Sequence, residues 1–132
     1  NERIITFPRG LIGFEQEREF TLLQVQDDSP FMVLQSLKKV ELGLIVTDPY
    51  FFIKEYQVKI NDFEQGVLQA DDVQELAVLV TVSIPAGEPE NTSLNLSGPI
   101  AINIYKRLGI QIPQVETCFP NHYCIPMAAG MS

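Results

Sequence analysis

The sequence is poor in the side chains that most often carry enzyme chemistry. It has one histidine, His122, and two cysteines, Cys118 and Cys124, in 132 residues. Two cysteines are too few to hold a chain of this size together as a disulfide scaffold. No G-x-S-x-G elbow is present to pair with His122, and no GxxxxGK[ST] loop or dinucleotide fingerprint occurs. The sequence therefore indicates a protein that is not an enzyme and binds no cofactor.

Long apolar runs are also absent. No run reaches the roughly 20 residues that a membrane-spanning helix requires, and no secretory signal is visible at the start of the sequence. We therefore expect a cytoplasmic protein without membrane contact.

Positive charge is scarce. Nine Lys and Arg residues stand against 17 Asp and Glu, which gives a net charge of -8 and a pI of about 4.5. Nucleic-acid binding requires clustered cations that neutralise phosphates, so direct nucleic-acid binding is disfavoured. An acidic surface can instead attract a basic protein, although acidity also serves solubility alone.

What the sequence does contain is a series of short apolar runs separated by turn residues. Strand-forming runs are predicted at 3–7, 20–25, 31–35, 42–47, 55–60, 76–84, 100–105 and 110–112. Alternating βαβ units are absent, and this disfavours a nucleotide-binding parallel sheet. We predict a mainly β fold, a single antiparallel β-barrel-like or sandwich domain with one or two short helices. The domain spans residues 1–126, and residues 127–132 are expected to form a flexible tail.

Three local features sharpen this prediction. Asn61 and Asp62 are suited to cap a short helix that runs through Glu64 to Leu68, and a second short helix is expected to begin at residues 70–72. The apolar run at 76–84 predicts a strand that is buried on both faces. Gly109 is expected to supply the unusual φ angle of a hairpin between the last two runs.

Cys118, His122 and Cys124 are the candidate metal ligands. Sulfur and imidazole ligands within seven residues are chemically suited to zinc, but their spacing matches no standard knuckle. The alternative is two ordinary thiols and an exposed histidine near the end of the chain.

An acidic stretch between residues 62 and 75 is the candidate binding surface. It contains no Lys or Arg, and its acidic members are Asp62, Glu64, Asp71, Asp72 and Glu75. Such a stretch is either a negative face for a basic partner or a solvated helix face. Residues 50–52, Tyr-Phe-Phe, are likewise either an exposed aromatic anchor or part of the core.

Six short motifs in a fixed order resemble those of the flagellar assembly factor FliW family. They extend from Phe7 to Gln111 and are the following: Phe7-Pro8-x-Gly10-Leu11-x-Gly13-Phe14-Glu15; Phe31-x-x-Leu34-Gln35-Ser36-Leu37; Leu44-Ile45-Val46-x-Asp48-Pro49-x-x-Phe52; Leu76-Ala77-Val78-Leu79-Val80-x-Val82 with Pro85; Asn95-Leu96-x-x-Pro99-Ile100-x-Ile102-Asn103; Arg107-x-Gly109-x-Gln111. Each motif alone is weak, but the ordered set covers about four fifths of the chain. Gly10 and Gly13 are expected to permit a tight bend.

The resemblance implies a regulator that binds two proteins. FliW proteins bind the RNA-binding translational repressor CsrA and relieve its repression of flagellin synthesis, and flagellin is their alternate partner. We expect contacts through the acidic stretch and through a second segment that contains Asn95, Leu96, Pro99 and Asn103. The side-chain amides of Asn95 and Asn103 are also suited to satisfy backbone groups near strand ends. The alternatives are a flagellin-specific chaperone without a translational role and a small metal-binding enzyme.

Overall fold

The computed structural model describes residues 4–24, 26–114 and 119–125. Over these ranges the strands are β1 Ile4–Thr6, β2 Glu19–Gln24, β3 Phe31–Ser36, β4 Gly43–Thr47, β5 Leu76–Ser83, β6 Ser93–Leu94, β7 Ile100–Asn103, β8 Leu108–Gln111 and β9 Tyr123–Cys124. One α-helix, α1 Asp62–Leu68, accompanies three 3-10 turns at Pro49–Phe51, Val73–Glu75 and Pro89–Asn91. The predicted tail at 127–132 lies outside the described residues.

Seven strands form a closed barrel. Their order is β4-β3-β2-β1-β8-β7-β5, and pairing of Val46 with Thr81 and Thr47 with Val80 closes β4 onto β5. Every pair is antiparallel except β1 with β8, which is parallel. The prediction of a mainly β, barrel-like fold with a short helix is confirmed.

The interior of the barrel is filled most tightly at one end. Side chains alternate along each strand, so Phe20 and Leu22 face inward while Leu23 is exposed. Phe7 and Phe20 meet edge to face at 5.4 Å, and Leu11 joins them in the core. We call this the closed end of the barrel.

Two further apolar layers cover the outside of the wall. Leu68 of α1 packs on Ala101, Ile110 and Ile112 of the β7–β8 side. On another side β6, β9 and residues 53–58 cover Val80 and Val82 of β5. The predicted burial of β5 on both faces is confirmed, because Leu79 belongs to the interior and Val80 to the outer layer.

Helix α1 begins where the sequence predicts it. The Asn61 side chain accepts a hydrogen bond from the Glu64 N–H, and the Glu64 carboxylate accepts one from the Asn61 N–H. This reciprocal box satisfies two backbone donors that a helix start leaves free. The second predicted helix, at residues 70–72, is instead a turn that leads into the 3-10 turn Val73–Glu75.

The strand predicted at 55–60 is wrong. That segment is irregular, and the backbone of Lys59 within it bonds to a side chain rather than to a neighbouring strand. The Gln114 amide accepts from the Lys59 N–H at 3.0 Å and donates to the Lys59 carbonyl at 3.2 Å. Its apolar members still pack on the barrel, and this explains the apolar pattern in the sequence.

The β7–β8 hairpin forms as predicted, but Gly109 plays a different role in it. The positive φ angle belongs to Arg107, at 54°. Gly109 lies inside β8, where a Cβ atom would meet the Phe7 ring at 2.5 Å. The glycine is therefore required for close packing rather than for the turn.

Candidate partner-binding surfaces

The acidic residues of the 62–75 stretch divide between two roles. Glu64 holds the start of α1, and Glu75 Oε1 accepts hydrogen bonds from the N–H groups of Asp71 and Asp72 at 2.7 and 3.1 Å. Asp62, Asp71 and Asp72 are exposed. We call these three exposed carboxylates the acidic surface; they flank the two ends of α1.

The tertiary structure adds a cation that the stretch itself lacks. Lys106, in the β7–β8 turn, donates from Nζ to the Gln69 carbonyl at 3.1 Å and borders the same shallow depression as Asp62 and Asp71. Lys106 therefore lowers the net charge around this depression, which Asp62 and Asp71 both border.

The second predicted contact segment lies mostly inside the molecule. Leu96, Pro99 and Asn103 are buried, and Asn95 is half-buried. Asn103 donates to the Leu68 carbonyl at 2.9 Å and accepts from the N–H groups of Tyr105 and Lys106.

Asn95 plays the same kind of local role. Its side chain accepts from the N–H and the hydroxyl of Ser97. The predicted role of both amides, satisfying polar groups near strand ends, is thereby confirmed. Their contact with a partner stays a prediction, and Asn95 is the member with exposed surface.

The three candidate metal ligands are not assembled in the described part of the chain. His122 is exposed, and its Nδ1 lies 3.1 Å from Oδ1 of Asn121. Cys124 is an exposed free thiol in β9, while Cys118 lies outside the described residues. Among residues 4–24, 26–114 and 119–125, no three His, Cys, Asp or Glu side chains are grouped so that they could hold a metal ion.

An apolar crevice of about 990 Å³ opens at the end of the barrel opposite the closed end. Ile5, Leu22, Met32 and Ile102 line it from inside the barrel, and Val58 and Ile60 line it from outside. We call this the open end.

The crevice exists because β4 stops pairing with β5 too early. The ladder ends at Thr47 and Val80, and its continuation would place Pro49, which has no N–H, opposite Val78. In an antiparallel pair, alternate residues direct their N–H and C=O groups toward the partner strand. Because the Glu75 carbonyl accepts from the Ile104 N–H on the β7 side, Val78, three residues later, directs its N–H and C=O groups away from β7 and toward the gap beside β4. An exposed strand edge of this kind is suited to pair with an added segment.

The rim of the crevice is aromatic. Tyr50 is partly exposed; burial and then the nearby Asp48 carboxylate raise the pKa of its hydroxyl. Tyr56 lies behind it, donates to the Leu96 carbonyl, and has a pKa raised by burial and then by Tyr50. Phe51 is 65% exposed, whereas Phe52 stacks on Phe31. The core interpretation is confirmed for Phe52, whereas Phe51 has the exposure that an anchor requires and its contact with a partner stays a prediction.

A second exposed apolar group was not predicted from the sequence. Ile12, Phe14 and Phe63 are 54%, 37% and 58% exposed, and we call them the bend patch. Ile12 lies within the first motif, where the flanking glycines were the available signal of an exposed bend. Phe63 gave no such signal, because an aromatic residue in a short helix more often faces the core.

None of the three helical turns or α1 has the length and apolar character needed to cross a membrane. The described residues present an acidic surface, an apolar crevice beside a free strand edge, and an apolar patch. These are features of protein recognition.

Comparisons with known proteins give the same family that the motifs indicate. The family described as FliW protein matches residues 1–125. The flagellar assembly factor FliW of Nitratidesulfovibrio vulgaris (strain DP4) is 52% identical over 126 residues, which cover 96% of this chain and 73% of that protein. The FliW of Bacillus pumilus (strain SAFR-032) is 35% identical over 98% of this chain and 89% of its own.

The fold agrees with a solved relative. A crystal structure of the flagellar assembly factor FliW superposes with a TM-score of 0.88 and 31% identity, over 94% of this chain and 86% of that one.

Proposed function

Because the chain belongs to the FliW family, we propose that it is a cytoplasmic flagellar assembly regulator that binds CsrA, relieves repression of flagellin synthesis, and takes flagellin as its alternate partner. The observation that carries this proposal is the family match over residues 1–125. The proposal includes no catalytic step: the protein acts by binding.

The charge of the chain supports the choice of a basic RNA-binding partner. A net charge of -8 attracts a basic protein surface and repels RNA phosphates. The exposed carboxylates Asp71 and Asp72 stand next to each other on the acidic surface and contribute to this attraction.

Two partners that exclude each other on one protein are thermodynamically linked. If flagellin lowers the affinity for CsrA, CsrA lowers the affinity for flagellin by the same factor. Free flagellin would then leave CsrA bound to its mRNA, and loss of flagellin by export would free this protein for CsrA.

Titration calorimetry tests the proposal directly. The protein is titrated with CsrA from the same organism, first alone and then after saturation with flagellin. We expect tight binding that flagellin weakens. Absence of CsrA binding would refute the translational role.

The acidic surface is tested by charge reversal with a matched control. The variant Asp71→Lys with Asp72→Lys should slow association with CsrA by roughly tenfold at low salt and flatten its salt dependence. The control, Glu88→Lys with Glu90→Lys, changes the net charge equally in the loop after β5. If both variants behave alike in stopped-flow association, net charge rather than this surface sets the rate.

A flagellin-specific chaperone without a translational role is the second candidate. The crevice favours it, because an apolar groove beside a free strand edge is suited to hold an extended apolar segment. Binding of flagellin without binding of CsrA in the same titrations would select this candidate.

A further inference from the structure

The bend patch is an exposed apolar surface, and the acidic character of the chain gives no reason for its exposure. Ile12 and Phe63 come from the β1–β2 connection and from α1, and they line one depression of about 290 Å³. The depression also meets Arg9, Glu15 and Glu64. A large aliphatic and an aromatic side chain at the centre with charged groups around them is the arrangement of a protein-binding hot spot.

The bend is built to hold Ile12 outward. Gly10 adopts a φ of +66°, and a Cβ atom there would meet the Glu15 backbone at 2.6 Å. Leu11, 1% exposed, anchors the bend in the core. The Ile12 N–H donates to Gln111 Oε1 at 3.0 Å, and the Gly13 N–H donates to Glu15 Oε2 at 3.1 Å.

Phe63 is held as well. It occupies the second position of α1, a helix fixed by its capping box, and the Arg9 guanidinium lies 5.1 Å from the centre of its ring. The backbone at Ile12 and the ring of Phe63 are therefore positioned before any partner arrives. Ordering in advance lowers the entropic cost of binding.

The charges around the patch select a basic partner. Asp62 precedes Phe63 in the first turn of α1, and Glu15 and Glu64 border the depression. The carboxylates of Glu15 and Glu64 are fixed by backbone N–H groups, so their negative charge has a fixed position. Arg9 is the cation in this group, and it faces the Phe63 ring.

We propose that the bend patch is the docking surface for the basic RNA-binding partner, with Ile12 and Phe63 inserted into an apolar depression on that partner and the carboxylates of Glu15, Asp62 and Glu64 facing its cations. The proposal rests on the proposed function, because CsrA is the basic partner that function names. It predicts that apolar contacts at the bend set the dissociation rate.

The test compares three variants by titration calorimetry and dissociation kinetics against CsrA. Ile12→Ser and Phe63→Ser remove the proposed anchors, and Tyr105→Ser removes an aromatic side chain that is 71% exposed in the β7–β8 turn. Each anchor variant should raise Kd by roughly 30-fold, mostly through faster dissociation, whereas Tyr105→Ser should change it by less than about threefold. Phe63→Leu, which keeps an apolar side chain, should recover most of the affinity.

Thermal melts of every variant accompany these titrations, because the anchors are more than half exposed and their loss should leave the melting temperature nearly unchanged. If wild type binds CsrA and the anchor variants bind equally well, the docking surface is overturned while the proposed function stands. If wild type does not bind CsrA, both fail. If the anchor variants lose flagellin instead of CsrA, or abolish self-association of wild type, the patch serves that other partner and the proposal is wrong.

Discussion

The two ends of the barrel are made from the same strands and differ in what their connections do. At the closed end, the β1–β2 connection turns inward and places Phe7 and Leu11 in the core. At the open end, the β4–β5 connection leaves the wall after Thr47 and packs outside, so a crevice remains. Aromatic packing is thus concentrated at the closed end, while the apolar crevice and the part of β5 that β4 does not pair lie at the open end.

The largest effect should follow from removing the buried Phe7 ring at the closed end. Phe7→Ala at the closed end should lower the free energy of unfolding by about 3–5 kcal/mol, because a fully buried ring is lost and a cavity remains. Ile104→Ala at the open end, 51% exposed, should cost less than about 1 kcal/mol. Urea denaturation measures both, and equal costs would show that the two ends are equally packed.

Added volume at the closed end should also destabilise. Gly109→Ala places a methyl group 2.5 Å from the Phe7 ring and should cost about 1–3 kcal/mol. Gly66→Ala is the matched control: nothing lies within 4 Å of the added atom in α1, so the variant should gain about 0.5–1 kcal/mol. Phe7→Leu should recover part of the loss in a double variant with Gly109→Ala. If the free-energy changes of Phe7→Leu and Gly109→Ala simply added in the double variant, the contact between the Phe7 ring and residue 109 would be contradicted.

A smaller effect should follow from loss of the amide that joins the open end to α1. Asn103→Ala leaves the Leu68 carbonyl and two turn N–H groups without their partner, and should cost about 1–2 kcal/mol. Asn95→Ala removes only contacts with Ser97 and should cost less. Hydrogen exchange should show faster opening at the end of α1 in the Asn103 variant. If the amides of α1 exchanged as slowly in this variant as in wild type, the proposed link between Asn103 and α1 would be contradicted.

The smallest effect on stability should appear at high pH and should arise from Tyr56, which lies behind the aromatic rim of the open end. The pKa of the Tyr56 hydroxyl is raised in the folded state above its unfolded value of about 10 by burial. A raised pKa contributes stability that is present below pH 10 and is lost as pH rises further. Urea midpoints should therefore fall above pH 10, and Tyr56→Phe should flatten that fall. An unchanged slope in the variant would assign the loss to other groups.

Much of the fold was predictable because local chemistry and tertiary structure agree. The capping residues of α1 and the apolar run of β5 each specify their element within a few residues. The strand predicted at 55–60 failed because apolar residues there pack without any strand beside them, and a pattern records burial rather than pairing.

The candidate site was predicted less well. The acidic stretch is visible in sequence, because Asp71 and Asp72 are neighbours on a surface turn. Burial of Leu96 and Asn103 was not, because either residue type occurs both in cores and in interfaces. The bend patch joins Ile12 to Phe63 across about 50 residues of chain, and only folding brings them together.

The sequence by itself determined the family, the acidity, the β-rich fold and the cap of α1, since each depends on composition or on residues close together in the chain. The tertiary structure decided which end of the barrel closes, why Gly109 must lack a side chain, and which apolar groups remain outside. Those outcomes depend on contacts between segments that are distant in sequence, such as Phe7 with Gly109, and no local pattern records them.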